Sequence, residues 1–150
     1  MSSETLALGA ASDTEALGAA VARRLRSGEA VLLWGPLGAG KTTLARGLIR
    51  ALTTPDQEAP SPTFTLVQTY DGPDFAIAHL DLYRLSGPEE TQELGLEEAL
   101  DDGAAVIEWP ERLEGRLPPH RLDIRLRMLE DGRAAELERH GRWKDRPIEF

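Results

Sequence analysis

The segment Gly35-Pro36-Leu37-Gly38-Ala39-Gly40-Lys41-Thr42 constrains this chain more than any other. It fits G-x-x-x-x-G-K-[ST]. It stands between a continuous apolar run, Ala30 to Trp34, and residues Leu44, Leu48, Ala51 and Leu52, which repeat at helical spacing up to Pro55. An apolar run bounded by glycines reads as a strand buried on both faces. Strand, Gly-rich turn and helix thus follow in the order that lets backbone N–H groups and a helix N-terminus surround phosphates. Glycine permits the close approach, Lys41 brings a compact charge to the β and γ oxygens, and the Thr42 hydroxyl is a ligand for Mg²⁺. The competing reading is an ordinary Gly-rich strand-to-helix turn. The choice of lysine argues against it, because only Lys41 and Lys144 of 17 basic residues are lysines and arginine serves everywhere else.

A chain of 150 residues with 41% apolar and 29% charged residues has the size and balance of one globular domain, 1–150. No apolar run approaches the roughly 18 residues of a spanning helix, and Met1-Ser2-Ser3-Glu4 lacks the basic start of a signal peptide, so a cytoplasmic protein without membrane partners is expected. Cysteine is absent and the histidines are scattered at 79, 120 and 140, which disfavours a structural metal cluster. The net charge of -9 opposes direct, unaided binding of nucleic acid, which needs a basic footprint.

Along the rest of the chain, Ser12-Asp13-Thr14-Glu15 has capping-box form, and Leu17, Val21 and Leu25 predict a first helix to about Arg26. Thr53 to Pro62 reads as an exposed loop. Phe64 to Tyr70 and Phe75 to Leu80 are predicted as an antiparallel pair around Asp71-Gly72-Pro73-Asp74. Ser86 to Glu89 starts a helix toward Leu100, and Ala104 to Ile107 is a buried strand ending in Glu108. Leu122 to Met128 and Ala134 to Glu138 flank the turn Asp131-Gly132. The fold class predicted is α/β: a three-layer P-loop NTPase-like fold with a mixed, mostly parallel central sheet and an added C-terminal β-hairpin.

A phosphate-gripping loop needs an acid on a neighbouring strand to hold or orient the Mg²⁺ and its waters. Asp81 and Glu108 both emerge where an apolar strand stops, and the sequence does not rank them. Either one alternatively caps a helix or pairs with Arg84 or Arg112. His79, Tyr83 and Arg84 flank Asp81, and such residues more often fill a core or surface than catalyse. Trp109 packs on a partner or fills the core. Ser61-Pro62-Thr63 places hydroxyls where a γ-phosphate sensor would stand, although a Ser-Pro turn leading into a strand explains the same residues.

Taken together, G-P-L-G-A-G-K-T-T, S-P-T-F-T-L-V, H-L-D-L-Y-R-L and V-I-E-W-P-E, in that order from Gly35 to Glu111, resemble the bacterial TsaE (YjeE) family of ATPases. The resemblance implies an ATP- and Mg²⁺-dependent ATPase that works with TsaB and TsaD in making threonylcarbamoyladenosine beside the anticodon of tRNAs reading codons that start with A. It implies that the transfer itself belongs to the partners and that tRNA is met only through them, which suits the acidic charge. Carried over by position, the resemblance assigns Gly38, Ala39, Gly40, Lys41, Thr42 and Thr43 to the phosphates. It gives Thr42 and Glu108 to Mg²⁺, Asp81 with Lys41 and Glu108 to catalysis, Thr63 to a switch, and Trp109 and Arg133 to the nucleotide's surroundings. Base-contacting residues, expected around Leu6 to Thr14, are not identifiable one by one from the sequence. Pro36 departs from the acidic residue of many relatives and removes one N–H. A GTPase is disfavoured, since the chain has no asparagine for an N-K-x-D guanine reader. A small-molecule kinase with an Arg-rich lid at Arg112 to Arg127, and a nucleotide-dependent scaffold that barely hydrolyses, remain as alternatives.

Overall fold

A computed structural model describes residues 3–87 and 89–150. Met1, Ser2 and Pro88, the last within the expected helix start, lie outside the described residues.

The strands are β1 (Ser3–Leu8), β2 (Ala30–Trp34), β3 (Val67–Asp71), β4 (Ala76–Asp81), β5 (Gly103–Glu108), β6 (Arg121–Leu129) and β7 (Gly132–His140). The helices are α1 (Ala11–Ala22), α2 (Lys41–Leu52), α3 (Glu89–Leu94) and α4 (Leu96–Asp102). Among the described residues the strands form one sheet in the order β1-β7-β6-β2-β5-β4-β3. The centre, β6-β2-β5-β4, is parallel, and only β3 and β7 run against it. Burial follows this plan. Every residue of β5 is buried, as are the first four of β2, whereas edge strand β3 buries only Tyr70.

Two cores sit on the two faces of the sheet. On one, Leu17 and Val21 of α1 and Leu44, Leu48 and Ile49 of α2 cover Val31, Leu33 and Val106. On the other, Leu96 of α4, Leu85 and Leu113 cover Leu32, Leu80 and Ile107. The result is the three-layer α/β architecture expected. The hairpin β6-β7 is more than an appendage: β6 pairs along the whole of β2 and so continues the central sheet.

Boundaries moved for local reasons. Helix α1 starts before the expected Ser12, because the Asp13 carboxylate accepts the Ala10 N–H at 3.0 Å. It closes at Ala22, where the Arg24 and Leu25 N–H groups both bond the Val21 carbonyl. Strand β3 starts at Val67 rather than Phe64, because the Leu66 N–H closes a turn on the Pro62 carbonyl at 2.6 Å and Leu66 takes φ 69°. Strand β1 was not predicted; its ladder runs to β7, from Ser3 opposite Glu138 to Leu8 opposite Arg133.

Helices α1 and α2 meet backbone to backbone at two glycines. A Cβ at Gly18 would stand 2.2 Å from the Leu44 carbonyl oxygen, and one at Gly47 2.2 Å from that of Glu15. Gly18→Ala gains about 1 kcal/mol of helix propensity. The clash with rigid backbone costs about 1–3 kcal/mol and moves the helix that follows the glycine loop. The expected outcome is a net loss of stability, read as a melting temperature several degrees lower.

Candidate phosphate-binding site

The loop between β2 and α2 turns on glycines in positive-φ conformations that strain other residues. Gly35 has φ 145° and a Cβ there would stand 2.8 Å from the Leu126 carbonyl oxygen; Gly38 has φ 80°, and a Cβ on it meets no atom within 4 Å. Gly40, at φ 105°, caps α2. The first N–H groups of that helix, and its positive dipole end, therefore face a cleft of about 360 Å³. The cleft is lined by Gly38, Gly40, Lys41, Thr42, Thr43, Thr63, Asp81, Glu108 and Trp109 among others.

Lys41 opens α2 and is 5% exposed. Its ammonium donates to the Gly35 carbonyl and, at 3.2 Å, to that of Pro36, and lies 3.7 Å from the Trp109 ring centroid. Burial pushes its pKa below the usual lysine value, while Glu108, Glu111 and Asp81 push it back up. Among the described residues the ammonium is held on its own loop carbonyls and an indole face rather than in an ion pair, which leaves its charge open to an anion.

The two acids sit side by side, Asp81 opposite Glu108 in the β4-β5 register. Their partners rank them where the sequence did not. Thr42 donates its hydroxyl to Glu108 at 2.9 Å, so Glu108 and Thr42 form one pair of hard oxygens of the kind that suits Mg²⁺. Asp81 instead takes the Ser61 hydroxyl at 3.0 Å, the Thr63 hydroxyl at 3.4 Å and the Tyr83 N–H at 3.0 Å. It thereby ties the loop before β3 to the end of β4. Neither acid pairs with Arg84 or Arg112 among the described residues. Trp109 has φ 60°, an unfavourable region for so large a residue, and its ring packs 4.9 Å from Tyr83 between centroids.

A second cavity, about 200 Å³, lies on the other side of the loop and is lined by Leu8, Gly9, Ala10, Ala11, Thr14, Ala39, Gly132 and Arg133, together with Gly38, Gly40 and Thr43. Arg133 reaches it from β7 and donates to the Gly38 carbonyl at 3.1 Å. The predicted residues are thus gathered in two adjoining cavities, with Ala39 and Arg133 in the second. Sequence reasoning missed the hydrogen bond from His79 to Glu108, for a lone histidine in an apolar strand carries no local sign of its partner. Elsewhere, Asp123, Glu138 and His140 have ligand atoms within 4.8 Å of one another. Asp123 is already held there by Trp34 at 2.8 Å and Arg121 at 3.1 Å.

Residues 8–136, from the end of β1 through most of β7, match the family model for the threonylcarbamoyl adenosine biosynthesis protein TsaE. The chain belongs to the TsaE family. It is similar to the tRNA threonylcarbamoyladenosine biosynthesis protein TsaE of Rickettsia bellii, 42% identical over 131 residues that make up 87% of this chain and 90% of the relative. The TsaE protein of Treponema pallidum is 42% identical over 123 residues, covering 81% and 90%. The crystal structure of Bacillus subtilis YdiB superposes with a TM-score of 0.79 at 28% identity, covering 95% of this chain and 90% of that one. TsaE proteins take part in tRNA threonylcarbamoyladenosine biosynthesis, a tRNA modification. Among the described residues no helix is long and apolar enough to cross a membrane.

Proposed function

We propose that this TsaE protein binds ATP with Mg²⁺ in the two cavities and hydrolyses it in support of TsaD and TsaB, which carry out the threonylcarbamoylation of tRNA. The observation that carries the reading is the Thr42–Glu108 pair at the positive end of α2, 2.9 Å apart and directly under the glycine loop. The loop amides and Lys41 hold the phosphates. Thr42 and Glu108 would supply oxygen ligands to Mg²⁺, which would neutralise phosphate charge. Asp81 holds Ser61 and Thr63 over the cleft and is placed to release them when a γ-phosphate competes for their hydroxyls. The smaller cavity, between Gly9 to Thr14 and Arg133, takes the nucleoside.

The kinase alternative gains little from Arg112 to Arg127. That stretch forms a 3₁₀ turn and β6, with Arg121 on Asp123 and Arg125 over the Trp34 ring.

Phosphate release from ATP is measured with the protein alone and with TsaB and TsaD. Slow release that the partners accelerate is expected, together with binding of ATP in preference to GTP. Release that ignores the partners sinks the coupling, whereas phosphate appearing on an acceptor instead of in solution makes the protein a kinase. ATP binding with no turnover under any condition leaves only the scaffold.

A further inference from the structure

His79 is a buried titratable residue beside the cleft to which the proposed chemistry gives no part. On β4 it alternates with Ile77 and Asp81 onto the face covered by α1 and α2. It stands opposite Val106 of β5, two residues before Glu108 on the same strand face. The ring is 0% exposed, and Nε2 lies 2.6 Å from Glu108 Oε2. Nδ1 is buried with no hydrogen-bond partner among the described residues.

With Glu108 ionised, donor accounting places a proton on Nε2. An ionised carboxylate only accepts, so the short contact needs the proton on Nε2. A proton on Nδ1 alone would leave a buried donor unpaired and remove the donor from Glu108 as well. The carboxylate is therefore divided between two elements. His79 holds Oε2, and Thr42 lies nearer Oε1, at 2.9 Å, than Oε2, at 3.2 Å.

We infer that His79 is a positioning residue of the cation site: its Nε2–H anchors one oxygen of Glu108 so that the other is presented beside the Thr42 hydroxyl. The inference rests on the reading of Thr42 and Glu108 as the Mg²⁺ pair. Outer donors of this kind orient a ligand carboxylate, and their loss commonly weakens the metal about 10–100-fold. Without the imidazole, the donor left to Glu108 among its side-chain partners here is Thr42 itself, and ligand oxygens are then consumed on each other.

The experiment titrates Mg²⁺ into the full chain saturated with ADP and follows tryptophan fluorescence, with nucleotide affinity in EDTA as the control. The variants are His79→Gln, whose amide nitrogen keeps a donor near the position of Nε2, and His79→Phe, which keeps volume and removes the donor. His79→Phe is expected to weaken Mg²⁺ about 10–100-fold with ADP affinity in EDTA unchanged, and His79→Gln to restore most of the loss. If His79→Phe folds poorly, His79→Leu, which also removes the donor, takes its place and is expected to show the same loss of Mg²⁺ affinity. Equal losses in His79→Gln and His79→Phe, or Mg²⁺ affinity unaltered in a folded His79→Phe protein, overturn the inference alone. A wild type whose ADP binding ignores Mg²⁺ overturns the underlying cation reading and the inference with it.

Discussion

Lys41→Met is expected to lose ATP binding by about 100-fold or more while the nucleotide-free protein melts no lower than the wild type. The methionine keeps the length of the stem against Trp109 and removes the charge. A charged hydrogen bond to phosphate contributes about 1.5–3 kcal/mol, and each 1.4 kcal/mol is tenfold in affinity. Stability moves the other way. Burial lowers the Lys41 pKa in the folded chain, more than Glu108, Glu111 and Asp81 raise it. A lysine whose folded value lies below its unfolded value of 10.5 binds its proton better when unfolded. Its charge therefore costs stability below the folded pKa, and that cost fades as pH rises through the window up to the unfolded value. Wherever the folded lysine is charged that cost is present, and the substitution removes it. Thermal melts with and without ATP check both halves: the wild type gains more from ATP, and the variant gains nothing. A variant that melts markedly lower without nucleotide contradicts the assignment of Lys41 as a cation held in reserve for phosphate.

Glu108→Gln is expected to abolish the contribution of Mg²⁺ to nucleotide affinity and to lower hydrolysis on the order of 100-fold or more, with Mg²⁺-free binding intact. The amide preserves shape and both contacts. Its oxygen accepts from His79, and its nitrogen donates to Thr42, whose hydroxyl turns to accept. Folding should therefore change little, since Glu108 is 2% exposed and a buried charge is exchanged for a neutral group with its hydrogen bonds kept. Asp81→Asn provides the contrast. Asp81 binds Ser61 and Thr63 rather than Thr42, so its loss should reduce turnover and free the loop before β3 while leaving Mg²⁺ affinity near the wild-type level. Titrations of Mg²⁺ against ADP-loaded protein distinguish the two acids. Equal Mg²⁺ losses in both variants would refute the division of labour drawn from their partners.

The order strand, glycine loop, helix was legible because each part is a local signal. Ala30 to Trp34 is apolar throughout, Gly38 and Gly40 need positive φ, and Leu44, Leu48 and Ala51 share a helix face. The same holds for the β3-β4 hairpin, which is closed over a few residues, and for Asp81 and Glu108, whose place at the ends of strands is visible as an acid after an apolar run. Local energies of this kind depend on neighbours within one turn or one pleat.

What the tertiary structure alone decided are contacts across long stretches of chain. Thr42 meets Glu108 66 residues away, which gives different partners to two acids that look alike in sequence. His79 meets Glu108 across a parallel register, and Arg133 meets Gly38 over 95 residues. Strand β1 exists because β7 offers an open edge at the far end of the chain; Leu6 and Leu8 do not announce it. The physical reason is common to all of these. A hydrogen bond between distant residues leaves no periodicity in either segment, and it forms only after sheet order and register have brought them to one face. The chain's own chemistry thus declared a glycine loop between strand and helix, and folding chose which carboxylate, hydroxyl and imidazole surround it.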